Sequence, residues 1–333
     1  MHQWVSDLNL LRRETEPEYL LKQQSQVSTI QEPARDSENG MFLRTRVTSF
    51  DGTPLDVFVG GDPVGSSVLL INALGMPVDF WVPLARRLQG FKLLTWESRW
   101  ESGVDAEFDQ EKCGIEYHVH DLLSVLDANG TDAVHVVAWC NGAQVALRFA
   151  AEYPQRVRSL IFLNGTFNLP PDVPRTNFET NVRYLMPRIA GNTSYAALYH
   201  RMIAESRAQP DANAAQTGSE VSQPFGLICR DSSILHLVSA PFATPDRLYR
   251  YACMITRTYD EHSDALAEQL KVPTLLISCG NDQVSHPEAS RVMAARIKGA
   301  RLAVIEQGDH HSLYYDEEMQ AAISSFIEGI EQG

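Results

Sequence analysis

The stretch 136–147, VVAWCNGAQVAL, limits what this chain can fold into more than any other. Residues 133–138 form an apolar, β-branched run that reads as a buried strand, and 142–153 carry apolar residues at helical spacing. Little more than Cys140 and Asn141 is left for the change of direction. So short a turn strains its central residue and needs small neighbours, which Ala138, Gly142 and Ala143 supply. The Cys140 side chain is therefore expected at the C-terminal edge of a sheet and at the N-terminus of a helix, whose dipole favours negative charge. A thiol placed there can act as a nucleophile.

The stretch resembles the nucleophile elbow of the α/β-hydrolase superfamily, G-x-S-x-G, with Ala138 in place of the first glycine and Cys140 in place of serine. The first change is mild, because that position mainly demands a small side chain. The second changes the chemistry. Taken by itself a single cysteine is usually an inert buried residue, and here the flanking strand, turn and helix argue otherwise.

Composition narrows the partners. A formal charge of −14 disfavours nucleic acid and anionic membrane surfaces, both of which call for clustered basic residues. Five cysteines at 113, 140, 229, 253 and 279 form neither a disulfide framework nor a zinc pattern, and reduced thiols in a cytoplasm are the simplest account. With no stretch long and apolar enough to cross a bilayer, a cytoplasmic chain without membrane insertion is expected. Apolar content of 44% suffices for a sizeable core, and 333 residues suit one core with an insertion.

Along the chain, 1–40 is polar and reads as an N-terminal arm or short helix. Strands follow at 42–50 and 54–61, joined through Asp51-Gly52, then at 67–71, 92–96, 133–138, 157–163, 273–279 and 301–305. The expected architecture is an α/β-hydrolase fold, with a mostly parallel eight-stranded sheet flanked by helices. Its core would be 41–165 and 271–333. Between them, 166–270 loses the strand pattern and reads as an inserted helical cap, with helices at 192–207 and 245–257, a polar loop at 209–223 and recurrent aromatic residues such as Tyr199, Tyr251 and Tyr259.

The resemblance also implies site residues. The superfamily usually has His-Gly after its third strand, where this chain has Asn72-Ala73; the oxyanion donors would then be the N–H groups of Leu74 and Asn141. The 97–100 turn, Glu-Ser-Arg-Trp, looks like the family's D-x-R-G turn with altered residues and implies a structural role. Asn164, at a position where some relatives carry the triad acid, is an amide, so the acid must come later; Gly280 to Asp282 resembles the G-x-x-D turn and makes Asp282 the best candidate. The base lies in the loop after 301–305. Counting from Ile305 selects His310, and aligning on Ser312-Leu313 favours His311 as the alternate. The cluster His118, His120 and Asp121 reads as solvated or core-edge residues rather than metal ligands, and no metal or cofactor is called for.

Cys140, Asp282 and His310 follow the superfamily's chain order, which implies an acyl-cysteine intermediate. Sulfur as nucleophile leans toward thioester donors, an acyl group on coenzyme A or a carrier protein, with release to water or to another nucleophile as thioesterase, acyltransferase or cyclase. The alternatives are an ester or lactone hydrolase of dienelactone-hydrolase type and a catalytically silent hydrolase fold that binds a ligand.

Overall fold

The computed structural model describes residues 35–36, 40–100, 108–208, 229 and 231–333. One sheet is built from β1 (Arg35–Asp36), β2 (Phe42–Thr48), β3 (Pro54–Gly61), β4 (Ser67–Ile71), β5 (Lys92–Trp96), β6 (Val134–Trp139), β7 (Val157–Leu163), β8 (Thr274–Cys279) and β9 (Arg301–Ile305). Its strand order is β1-β2-β3-β5-β4-β6-β7-β8-β9. Strands β2 to β9 are the eight read from the sequence. The two-residue β1, from the segment expected to be an arm, adds an edge by pairing with β2; residues 1–34 lie outside the described residues. Pairing is antiparallel from β1 through β3 to β5 and parallel from β5 to β9.

Side-chain alternation explains why the central strands are apolar throughout. Leu69, Ile71, Val136, Ala138, Leu160, Phe162 and Leu276 join one buried cluster, while Val68, Leu70, Val137, Trp139, Ile161, Leu163, Leu275 and Ile277 join another. Successive residues point to opposite faces, so a strand covered on both sides must be apolar at every position. Helices α1 (Val82–Arg87) and α8 (Glu317–Glu331) supply Leu84, Met319 and Ile323 to the second cluster. The first cluster takes Leu122 from α2 (Ile115–Ala128), Val145 from α3 (Gly142–Glu152) and Met293 from α7 (Pro287–Arg296). At about 1.5–3 kcal/mol for each large side chain withdrawn from water, these two layers dominate the stability of the sheet.

The segment after β7 is helical among the described residues. It contains α4 (Asn177–Gly191), α5 (Thr193–Ala208) and α6 (Pro245–Thr258), with α4 and α6 packed together. Helix α4 begins with a reciprocal cap, Thr176 Oγ1 accepting from Glu179 N and the Glu179 carboxylate accepting from Thr176 N. This helix continues through Pro187 and was not resolved as an element by sequence pattern. The polar loop expected at 209–223 lies outside the described residues.

Two members of the 118–121 cluster, His118 and Asp121, lie deeper than the solvated or core-edge position expected of them. His118 is 1% exposed with neither ring nitrogen hydrogen-bonded, and burial lowers its pKa to about 3. Asp121, fully buried, accepts from Arg99 Nε at 2.7 Å and Arg99 Nη2 at 2.5 Å, and from Ser49 Oγ at 2.5 Å. The reason is the 97–100 turn. Arg99 is driven inward there and needs a carboxylate from α2, while Trp100 takes φ +73°, the left-handed conformation for which the family pattern uses glycine.

Candidate active site

Cys140 follows β6 directly and has φ +54°, a left-handed conformation that costs a non-glycine residue about 1–3 kcal/mol. The strain is held from both sides: Cys140 N donates to Leu163 O at 3.1 Å, and Cys140 O accepts from Thr166 N at 2.9 Å and Ala143 N at 3.2 Å. Gly142 permits the turn. A Cβ there would stand 2.3 Å from Asn72 O and 2.9 Å from Ile71 O, so the start of α3 can approach the end of β4 only without a side chain. The Cys140 sulfur lies 3.6 Å from Thr166 Oγ1, and the residue is 9% exposed.

Asp282 stands in the loop after β8. Its Oδ1 accepts from Val284 N at 2.7 Å and Ser285 N at 2.8 Å, which aims Oδ2 at His310 Nδ1, 2.8 Å away. The two side chains are 1% and 3% exposed. Burial works against a charged His310 ring, yet the attraction of Asp282, joined by that of Cys140, outweighs it and pushes the pKa up to about 10. The other ring nitrogen, Nε2, is buried and makes no hydrogen bond, although Cys140 lies within electrostatic reach of the ring.

His311 has a different environment. Its Nδ1 is buried without a partner, and burial followed by the neighbouring His310 lowers its pKa to about 3. Its ring meets Phe80 edge-on at 6.4 Å. Asp282 thus engages His310 and leaves His311 as a buried neutral ring.

Asn164, with φ +45°, ties the three loops together. Its Nδ2 donates to Asp309 O at 3.1 Å and His310 O at 3.2 Å, and its Oδ1 accepts from Cys279 N at 3.0 Å. Trp139 Nε1 adds a bond to His310 O at 3.1 Å. An amide that cannot serve as the acid instead fixes the loop carrying the histidine, a role without a sequence signal because its partners lie 115 and 146 residues away. Thr166, beside the sulfur, was likewise not singled out.

The two expected oxyanion donors are differently placed. Asn141 N makes no hydrogen bond among the described residues, whereas Leu74 N donates to Asn141 Oδ1 at 2.8 Å. The amide of the residue after the nucleophile therefore occupies one of the two donors. Asn72 shapes the same loop, its Nδ2 donating to Pro77 O at 2.9 Å and Met76 O at 3.2 Å. Tyr251 of α6 is 8% exposed and within electrostatic reach of Cys140; burial, then Cys140 and Tyr259, holds its hydroxyl pKa well above the ordinary value.

A surface cavity of about 750 Å³ lies on the far side of the histidine loop, lined by residues including Asp231, Glu306, Gly308 and Glu318, and does not include Cys140 or His310. Among the described residues no three of His, Cys, Asp and Glu are grouped as a metal site requires, and no helix is long and apolar enough to cross a membrane.

Known proteins carry the same framework. The chain is 24% identical over 290 residues to RutD of Caulobacter sp. (strain K31), whose name gives carbamate hydrolysis as a proposed activity; the match covers 84% of this chain and 97% of that one. It is 27% identical over 201 residues to the pimeloyl-[acyl-carrier protein] methyl ester esterase of Neisseria meningitidis, covering 59% and 57% of the two chains. The enol-lactonase of Burkholderia xenovorans LB400 superposes with a TM-score of 0.64 at 18% identity, over 85% of this chain and 99% of the other, a likeness of fold. Residues 67–317 match the model of the α/β hydrolase fold family, which spans the elbow, the Asp282 turn and the histidine loop, and the chain belongs to that family.

Proposed function

We propose that this protein hydrolyses an acyl substrate of the ester or lactone class through a cysteine-linked intermediate. The observation carrying this reading is the buried Asp282–His310 pair beside Cys140 on a strained elbow. His310 Nε2 receives the Cys140 thiol proton, and the sulfur attacks the carbonyl carbon. As the C–S bond forms, the carbonyl π electrons move to oxygen, which is stabilised by Asn141 N–H and by Leu74 N–H once the Asn141 amide yields it. Collapse expels the alkoxide, protonated from His310 Nε2. Water then attacks the thioester, gives a proton to His310 and releases the acid, and the cysteine regains its proton. Asp282 keeps the proton-bearing Nδ1 turned away from the sulfur throughout.

Relatives named for ester and carbamate hydrolysis support hydrolysis over the thioester-based transfer expected from the sulfur alone. Thioester processing, with coenzyme A or a carrier protein as the leaving thiol, stands as the second reading because a cysteine acyl group exchanges readily with thiols. The inserted helices, which carry Tyr251 within electrostatic reach of Cys140, would act as the lid that selects the acyl group. Intact-protein mass spectrometry after mixing with p-nitrophenyl butyrate, an enol lactone and butyryl-coenzyme A tests both readings. The expected result is a butyryl adduct from the ester, absent in Cys140→Ala, that decays in water. An adduct from the thioester alone supports the second reading. No adduct from any of them, with Cys140 also inert to iodoacetamide, overturns both and leaves a ligand-binding hydrolase fold.

A further inference from the structure

In a chain of net charge −14, half-buried arginines find carboxylates easily. Arg46, Arg148, Arg156, Arg250 and Arg257 each have one. Two do not. Among the described residues, Arg175 and Arg183 are half-buried without an ion pair, and they lie within electrostatic reach of each other. Arg175 Nη2 donates to the backbone oxygens of Leu169, at 2.7 Å, and Pro170, at 3.4 Å. Arg183 Nη2 donates to Asn168 Oδ1 at 2.6 Å, and its guanidinium lies 4.6 Å from the centre of the Tyr259 ring. The Tyr259 hydroxyl is buried and has no hydrogen-bond partner.

An unpaired like-charge pair and an orphaned buried hydroxyl are each costly. Together they are complementary to one thing, an anion with several acceptor oxygens. Glu179 is in electrostatic reach of both Arg183 and Tyr259, but its Oε2 accepts from Thr176 N and His286 N and it makes no ion pair with either arginine among the described residues. The position connects with the reaction centre. Asn168, which accepts from Arg183 and donates from Nδ2 to Tyr259 O at 2.7 Å, follows Thr166, the neighbour of the sulfur, by two residues.

We propose that Arg183, Arg175 and the Tyr259 hydroxyl form a binding site for a carboxylate carried on the acyl part of the substrate, remote from the carbonyl that Cys140 attacks. The site deepens the acyl-hydrolase reading and, for its catalytic consequence, rests on it. The substrate class becomes a half-ester or lactone of a dicarboxylic acid. Bidentate acceptance by Arg183 would hold the chain while the hydroxyl of Tyr259 donates to the same oxygens, and the spacing to Cys140 would set chain length.

Two measurements separate this site from the reaction. Glutarate binding to Cys140→Ala protein by calorimetry needs no turnover; saturable binding is expected, weakened at least tenfold by Arg183→Gln, severalfold by Tyr259→Phe, and partly restored by Arg183→Lys. Kinetics with mono-p-nitrophenyl glutarate and with p-nitrophenyl butyrate give the second readout. Arg183→Gln is expected to raise KM for the anionic ester at least tenfold and to leave the neutral ester within twofold. Absence of glutarate binding, or equal losses on both esters, overturns the carboxylate site. Binding that responds to Arg183 in a protein that turns over neither ester keeps the site and overturns the hydrolase reading alone.

Discussion

Replacing Asp282 by asparagine isolates what the buried carboxylate does for Cys140. The variant keeps an oxygen where Oδ1 accepts from Val284 N and Ser285 N, so the loop after β8 has no reason to move. At the other position an N–H2 group replaces Oδ2, 2.8 Å from His310 Nδ1. That nitrogen must then accept, and the ring proton passes to Nε2, the side facing the sulfur, where it can no longer receive one. Charge falls with the tautomer. His310 reaches about 10 because Asp282 and Cys140 outweigh burial, and with the carboxylate gone burial leads and keeps the ring neutral at pH 6. The thiol then loses its proton to solvent and not to an imidazole held beside it, so iodoacetamide should modify Cys140 at pH 6 some tenfold to a hundredfold more slowly in Asp282→Asn. By pH 9 the two proteins should differ by a factor of a few. Stopped aliquots weighed by intact-protein mass spectrometry give both rates, and unchanged far-UV circular dichroism checks the fold. Superimposable pH profiles for the two proteins would refute the role given to the pair.

Three further outcomes follow from the same structure. Arg99→Met leaves Asp121 buried with Ser49 as its remaining hydrogen-bond partner among the described residues, a loss of about 3–5 kcal/mol that lowers the thermal midpoint by roughly 6–20 °C, and Arg99→Met/Asp121→Leu should recover most of it by calorimetry; equal midpoints for single and double variants would count against it. Asn141→Ala frees Leu74 N–H for the oxyanion, and ester kcat/KM should rise about two- to tenfold, the worth of one hydrogen bond; an unchanged or lowered kcat/KM would assign the amide to holding the loop. His311, lowered to about 3 in the folded chain, resists a proton that the unfolded chain binds below about 6.5, so this group costs stability as pH falls from about 6.5 towards about 3, at up to about 1.4 kcal/mol per unit. His311→Gln should flatten the decline of urea midpoints between pH 7 and 4.5 while leaving Cys140 acylation intact, and parallel declines would be the contrary result.

Local features of the fold were legible because their causes are local. The apolar runs at 67–71, 133–138, 157–163 and 273–279 had to be strands covered on both faces, since alternation sends Val137 one way and Val136 and Ala138 the other. The demand for small residues at the elbow could be read from Gly142, which the structure places where no Cβ fits beneath Asn72 O. Residues that act by meeting distant partners gave no comparable signal. His118 was read as a core-edge residue, and Arg99 with Asp121 showed nothing in the sequence of the buried pair they make, because a turn distorted at Trp100 decides which way the arginine points. Counting along the loop selects His310 and alignment on Ser312-Leu313 favours His311; the two are separated by the direction of one Asp282 oxygen, itself set by two backbone N–H groups.

The same distinction divides reactivity from selectivity in this chain. A nucleophile at a tight turn is a property of a dozen contiguous residues, and its acid and base arrive on loops whose strand ends are fixed by the sheet. On the proposed reading, what enters the cleft would be set by Thr166, Asn168, Arg175, Arg183, Tyr251 and Tyr259, drawn from a loop and two helices whose mutual packing no periodicity reports. Exchange of side chains there would change the accepted acyl group and leave the Cys140–His310–Asp282 geometry as it is, because the hydrogen bonds that join the two sets among the described residues are those of Thr166, from its N to Cys140 O and between its Oγ1 and the sulfur. Thr166 is consequently the residue at which selectivity and reactivity are coupled: Thr166→Val should leave the backbone bond in place, remove the hydroxyl 3.6 Å from the sulfur, and slow acylation by neutral and anionic esters to the same degree. A change confined to one class of ester would place Thr166 with the selectivity set instead.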